Sequence, residues 1–201
     1  MDQSRNDLLC YRRSLWAPLV SLSLCLLWAC GEDDPPTLQH YSDEIGAATN
    51  ALEAAVESHY ETIREVTDIE EMHELEQHHI QDALGFMGAM QDAQYGLQTC
   101  SRHMRIGMHS GRLAALEDPR QAMHQAMNDM EVELQHHADV IRVEEDIDTG
   151  RAEEERHHDA ILDLLGVVAG HHQNMLAVMG TMEREGDSMM CSMDTHMHRQ
   201  W

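Results

Sequence analysis

An internal repeat constrains the fold of this chain more than any other feature. The block His59-x3-Ile63-Arg64-x3-Asp68-Ile69 recurs 78 residues later as His137-x3-Ile141-Arg142-x3-Asp146-Ile147, and Glu76-Gln77-His78-His79 recurs 79 residues later as Glu155-Arg156-His157-His158. A repeated unit that cannot bury its apolar face alone packs against its neighbour. The sequence therefore predicts two related halves that pack face to face, over about residues 42–100 and 119–186.

Each half has the periodicity of two long helices. Apolar residues recur three and four positions apart in four segments, which is the spacing of a single helix face. The signals for helix ends are Ser42, Thr67-x-x-Glu70, Asp118-Pro119, the turn Asp148-Thr149-Gly150 and the final Gly186. Two hairpins that bury one face against each other form a bundle. We therefore expect an all-α fold, a four-helix bundle of two repeated antiparallel helical hairpins over residues 42–186.

The first 29 residues have the composition of an export signal. Three arginines precede an apolar run from Leu15 to Leu27, and the small residue Ala29 follows that run. The run is too short to span a bilayer comfortably, and acidic residues follow at 32–34. Residues 1–29 are therefore predicted to be a signal peptide and not an anchor helix.

The end of this signal, Leu27-Trp28-Ala29-Cys30-Gly31, resembles the lipobox of bacterial lipoproteins. The resemblance implies that Cys30 carries a lipid and that the lipid anchors the protein to a membrane. The acidic residues and Pro35-Pro36 that follow predict that residues 30–41 form an acidic tether. The resemblance also implies a place in the cell envelope, at a periplasmic or outer-membrane face. The alternative is an ordinary secretory signal followed by a chance cysteine.

Charge and missing motifs exclude several functions. The chain has a formal net charge of −24 at pH 7, which repels nucleic-acid phosphates and attracts cations. We therefore expect no nucleic-acid partner and expect a metal ion instead, while the sequence indicates no particular protein partner. Because no nucleophile elbow, phosphate-binding loop, haem-attachment motif or zincin motif occurs, we expect no enzyme activity.

The remaining cysteines suggest a disulfide. Once Cys30 carries a lipid and the signal has left, only Cys100 and Cys191 remain, and an oxidising compartment favours their pairing. The Met- and His-rich residues around them, including the tail at 187–201, are also soft ligands of the kind that select Cu(I). The alternative to a copper site is that these methionines only fill space.

The repeated histidines and glutamates predict a metal site. His59 precedes the first turn by about as many residues as Glu76 follows it, so the two lie at similar height on neighbouring helices, with His79 one turn further along. The second half is expected to repeat this set. The predicted ligands are therefore His59, Glu76, His79, His137, Glu155 and His158, whereas His78, His136 and His157 are predicted to face solvent, and His172 either extends the site or fills space.

Such imidazole-rich sites suit copper, zinc, nickel or cobalt. The Glu-x-x-His motifs at 76–79 and 155–158 resemble those of ferritin-like four-helix bundles, although His59 and His137 stand where those bundles carry glutamates. The expected function is that of a lipid-anchored protein that binds or buffers a transition metal. The alternative is a structural or interaction lipoprotein whose core histidines are hydrogen-bonded to glutamates and respond to pH.

Overall fold

The computed structural model describes residues 36–104, 110–185 and Cys191, with the backbone alone at 103–104 and 110–113. Four helices follow one another in this part of the chain: α1 Leu38–Ile63, α2 Ile69–Met104, α3 Ser110–Ile141 and α4 Ile147–Arg184. The prediction of an all-α four-helix bundle is confirmed. None of the described helices is long and apolar enough to cross a membrane. The predicted signal peptide, the lipid-bearing Cys30 and the tail apart from Cys191 lie outside the described residues.

Two predicted helix starts are wrong. The first helix begins at Leu38, inside the predicted tether, and Thr37 caps it by accepting a hydrogen bond from the His40 backbone N–H at 3.1 Å. The third helix does not begin at Pro119 but continues through it from Ser110. Leu116 is buried on the same face as Met123, seven positions later, so apolar packing holds the extra turns in the helix.

Both hairpin turns use an aspartate as the cap of the following helix. Asp68 Oδ1 accepts backbone hydrogen bonds from Glu70 at 2.9 Å and Glu71 at 3.3 Å, and Asp146 Oδ1 accepts one from Thr149 at 2.9 Å. Asp68, and not the predicted Thr67, therefore caps α2, and Asp148-Thr149-Gly150, predicted to be a turn, lies inside the helix that Asp146 caps. Because the two turns have the same length and matching caps, the sequences of the two halves align with one constant offset of 78 residues.

The helices form a four-membered ring in which neighbours run antiparallel. α1 packs against α2 and α4, and α3 packs against α4 and α2, so each hairpin contacts the other along two seams. The direction is visible where α1 meets α4, since Ser42 contacts His172 and Glu57 contacts His158. Both turns therefore lie at one end of the bundle.

Methionine fills much of the interior. Nine methionines from α2, α3 and α4 are buried. The buried set is Met72, Met87, Met90, Met123, Met127, Met130, Met175, Met179 and Met182. A flexible thioether side chain fits irregular gaps, which matters in a chain with a single phenylalanine.

A disulfide lies at the end of the bundle opposite the turns. The expected pairing of Cys100 with Cys191 is present, with the two Cα atoms 4.8 Å apart. The backbone N–H of Cys191 also donates to the Pro36 carbonyl at 3.2 Å, just before α1 begins. The paired sulfurs are not free thiolates, and the other residues of the predicted copper cluster lack a described side chain.

Candidate metal centre

Polar side chains from all four helices converge between the packed faces near the turns. α1 supplies His59, and the Glu-x-x-His motif of α2 supplies Glu76 and His79. α3 supplies His137, and α4 supplies a second Glu-x-x-His motif. The buried members are Glu76, His79, His137, Glu154 and His157, while His59 keeps a side-chain exposure of 10%. A polar cluster this deep must be satisfied internally, because burying a charged group alone is costly.

Two carboxylates lie between two imidazoles at the middle of the cluster. His59 Nε2 is 2.6 Å from Glu76 Oε1 and 3.5 Å from Glu154 Oε2. His137 Nε2 is 3.0 Å from Glu76 Oε2 and 2.8 Å from Glu154 Oε1. The contact to Glu154 Oε1 does not have hydrogen-bond geometry, since that oxygen has no hydrogen-bond partner among the described residues. Each carboxylate therefore faces both imidazoles, one oxygen to each.

Three of these residues already have the spacing of a metal site. One ligand atom from each of His59, Glu76 and Glu154 lies within 4.8 Å of the others. Bonds from zinc or copper to imidazole nitrogen or carboxylate oxygen are about 2.0–2.2 Å, so ligand atoms around one ion are roughly 3–4 Å apart. A small adjustment of these side chains brings their ligand atoms to coordination distance, so the group can hold a metal ion.

Two further imidazoles stack on the inner pair. The His79 ring lies against His59 with centroids 3.9 Å apart, and the His157 ring lies against His137 with centroids 4.0 Å apart. Nε2 of His79 and Nε2 of His157 are buried and have no hydrogen-bond partner among the described residues. An unsatisfied buried polar atom costs about 1–3 kcal/mol, so these two nitrogens are the strongest sign that a ligand is expected here.

Electrostatics separates the four imidazoles into two kinds. Burial disfavours the charged form of His59 and His137, but the nearby carboxylates of Glu154 and Glu76 outweigh burial and raise their pKa values to about 9 and about 10. We call these two residues the charged pair. They in turn keep the pKa of Glu154 low despite its burial, through the ion-pair contacts of Glu154 with His137 and His59. The two charged imidazoles balance the two carboxylates.

The outer imidazoles stay neutral, and we call His79 and His157 the neutral pair. Burial, reinforced by the positive charge of His59, lowers the pKa of His79 to about 2. Burial and the charge of His137 lower the pKa of His157 to about 4. A neutral imidazole is the form that binds a metal, so both nitrogens without partners are in the ligating state at neutral pH.

The structure corrects the placement of two predicted ligands. Glu155 is exposed, and His158 stacks on Tyr60 with centroids 4.1 Å apart, away from the cluster. Glu154 and His157, one residue earlier, take the expected positions, so the prediction that His157 faces solvent is wrong. The error came from aligning His78-His79 with His157-His158 at a spacing of 79, whereas the constant offset of 78 pairs Glu76 with Glu154 and His79 with His157.

The other predicted ligands lie where expected. His59, Glu76, His79 and His137 all belong to the cluster, while His78 and His136 are exposed as predicted. His172 does not extend the site, because its Nε2 is 2.9 Å from Ser42 Oγ at a different level of the bundle.

Known proteins give no further guidance. Comparison of the chain with protein-family models, with curated proteins and with solved structures found no match in any of the three. The assignment of function therefore depends on the chemistry of the cluster itself.

Proposed function

We propose that this protein is a lipid-anchored component of the bacterial cell envelope that binds or buffers a transition metal in the core of its helical bundle. The observation that supports the metal site is the buried group of His59, Glu76 and Glu154, together with the neutral pair, whose Nε2 atoms have no partner. A purely structural cluster would be expected to satisfy these nitrogens, because natural cores pair nearly all buried polar atoms.

The donor set indicates the class of metal. Four imidazoles and two carboxylates are nitrogen-rich, and imidazole donors suit zinc, copper, nickel and cobalt better than calcium or magnesium. The acidic surface of the chain concentrates cations near the protein without selecting among them. Because no group in the cluster is arranged as a nucleophile next to a base, we propose binding and buffering rather than catalysis.

Calorimetric titration of the full-length chain with Zn²⁺, Cu²⁺ and Ni²⁺ tests this proposal. We expect at least one of these ions to bind with a dissociation constant well below 1 μM, roughly −8 kcal/mol or stronger. Glu155→Gln is the matched control for Glu154→Gln, since the Glu155 carboxylate is exposed and adjacent to Glu154. Binding no tighter than about 1 mM for every ion would remove the metal function.

The envelope location rests on the sequence at residues 27–31, and it has its own test. A Cys30→Ser variant should lose the lipid and partition into the soluble fraction, whereas the parent chain should fractionate with membranes. Equal membrane association of the two chains would contradict lipid anchoring.

One observation favours a second candidate function. The charged pair and the two carboxylates balance each other without any metal, so the cluster can also exist as a proton-dependent structural core. On this alternative the protein is a structural or interaction lipoprotein that responds to pH. The replacement of His79 and His157 together by alanine distinguishes the two: it should abolish stabilisation by added metal on the first proposal, and should change only the pH dependence of unfolding on the second.

A further inference from the structure

The constant offset of 78 residues makes the cluster nearly symmetric. It relates His59 to His137, Glu76 to Glu154, and His79 to His157. Each half of the cluster then contains one charged imidazole, the neutral imidazole stacked on it, and one oxygen from each carboxylate. Once a metal ion displaces a proton from the charged imidazole into solvent, two imidazole nitrogens and two carboxylate oxygens make four ligands, the number that zinc usually takes from a protein.

We propose that the centre holds two metal ions, bridged by Glu76 and Glu154, and that the two ions bind with unequal affinity. This inference rests on the proposed metal-binding function and adds its stoichiometry and order. Each carboxylate already presents one oxygen to His59 and the other to His137, which is the arrangement of a bridging ligand. Ions that share bridging carboxylates are about 3.5–4 Å apart.

The unequal affinity of the two ions comes from residues that surround the ligands. In the second half, Glu133 Oε1 accepts a hydrogen bond from His157 Nδ1 at 3.1 Å, and Arg156 holds that carboxylate at 2.8 Å. Glu153 Oε1 lies 3.4 Å from His137 Nδ1. With a metal bound, these contacts would keep a proton on Nδ1 of His137 and His157 and leave their Nε2 atoms as the ligating atoms.

The first half lacks these supports. The offset of 78 places Ala55 where the second half has Glu133, and Leu75 where it has Glu153. His59 is also the most exposed of the inner residues, at 10%, whereas His137 is fully buried. Losing a carboxylate that orients a ligating histidine typically weakens metal binding about 10–100-fold. The half-site of His137 and His157 therefore fills first, and the half-site of His59 and His79 fills second.

Two related surface clefts approach the two bridging carboxylates. A cleft of about 340 Å³ between α1 and α4 reaches Glu154, and one of about 280 Å³ between α2 and α3 reaches Glu76. Equivalent residues line them: Ile63 and Arg64 in the first cleft, and Ile141 and Arg142 in the second. Each bridging carboxylate therefore lies at the wall of one cleft, which gives ions a short approach to the buried centre.

Stoichiometry tests the proposal directly. The full-length chain, purified in detergent and stripped with chelator, is titrated with Co²⁺, and bound cobalt per chain is measured after gel filtration. We expect two ions per chain, with stepwise dissociation constants that differ about 10–100-fold. One ion per chain would overturn the two-ion proposal and leave the proposed function intact. No cobalt, zinc, copper or nickel bound more tightly than about 1 mM would overturn both.

Variants assign the order of binding. His79→Ala should reduce the stoichiometry from two to one and leave the tighter ion, whereas the exposed neighbour His78→Ala should keep both. Glu133→Gln should keep two ions but bring the two dissociation constants within the same order of magnitude. An unchanged ratio in Glu133→Gln would overturn the assignment of the tighter half-site.

A spectroscopic measurement on the parent chain tests the two-ion proposal without requiring any variant to fold. Two Cu²⁺ ions about 3.5–4 Å apart are expected to give a half-field electron paramagnetic resonance transition from the coupled pair. With one equivalent of Cu²⁺ the spectrum should be mainly that of an isolated ion. An isolated-ion spectrum at two bound equivalents would show that the ions do not share the centre.

Discussion

The replacement of Glu154 by glutamine removes the charge of the buried carboxylate with little change in shape, and its effect can be compared with the same replacement at the exposed neighbour Glu155. Glu154 contacts both members of the charged pair, at 3.5 Å from His59 and 2.8 Å from His137. Without its charge, Glu76 alone faces two imidazoles that are protonated at neutral pH. Glu155→Gln removes the same charge one residue later, where the side chain is exposed.

The expected effect follows from burial. Breaking a buried ion pair by removing one partner costs about 3–5 kcal/mol, whereas an exposed substitution usually changes stability by less than about 0.5 kcal/mol. For a fold of this size, 1 kcal/mol shifts Tm by roughly 2–4 °C. Taking the lower end, Glu154→Gln should lower the Tm of the metal-free protein by about 6–12 °C at pH 7. Glu155→Gln should change Tm by less than about 2 °C.

Two measurements on the metal-free chain check this reasoning. Circular dichroism at 222 nm follows thermal unfolding in excess chelator, and nuclear magnetic resonance titration follows the imidazole signals. Glu154→Gln should also lower the pKa of His137, because a carboxylate that now raises it is gone. If Glu155→Gln destabilised the protein as much as Glu154→Gln, or if His137 kept its raised pKa in Glu154→Gln, the assignment of the inner carboxylate would be refuted.

Three further predictions concern the rest of the fold. The metal-free protein should be most stable near pH 6.5 in 0.15 M salt, as measured by chemical denaturation across pH. The charged pair stabilises the fold below its unfolded pKa of about 6.5 and loses this stabilisation as pH rises through 9–10, whereas the neutral pair stabilises the fold above 6.5 and loses this stabilisation as pH falls towards 4 and 2. A stability that changes in one direction only across this pH range would contradict the prediction. Gly96→Ala should destabilise the fold, because an added Cβ meets the Tyr41 ring, whereas Gly85→Ala, with open space around it, should stabilise the fold by about 0.5–1 kcal/mol. Urea unfolding measures both variants, and the reverse ranking would count against this packing. Replacing Cys100 and Cys191 together by serine should lower stability by about 2–4 kcal/mol, because their bond closes a loop across 91 positions; an unchanged urea midpoint would show that the bond adds nothing.

Most of the fold could be predicted because the repeat and the apolar spacing act over many residues. Helical faces average over several turns, so α3 was predicted although the predicted start of that helix was nine residues late. The helix ends were harder, since several nearby residues can cap a helix equally well by sequence. Ser42 has the chemistry of a cap, yet it is buried and contacts His172, while Thr37 caps α1.

The candidate site was predicted in outline and missed in register. On a helix one residue corresponds to a rotation of about 100°, which is enough to turn a buried side chain towards solvent. The two consecutive histidines at 157 and 158 made both registers plausible, and identity with the pair at 78–79 favoured the wrong one. Equal turn lengths decide between them, because a pair of hairpins without an insertion has a single offset.

The disulfide and the polar cluster lie at opposite ends of one bundle, and this has a consequence for how the bundle opens. With ions bound as proposed, metal coordination cross-links the turn end of the bundle, and chelators or protons can remove that cross-link. The disulfide cross-links the other end, and only reductants break it. Amide hydrogen exchange should therefore accelerate first around residues 64–68 and 142–146 when metal is withdrawn, and around residues 36–45 when thiols are reduced. Metal starvation and reductive stress would then fray opposite ends of the same protein.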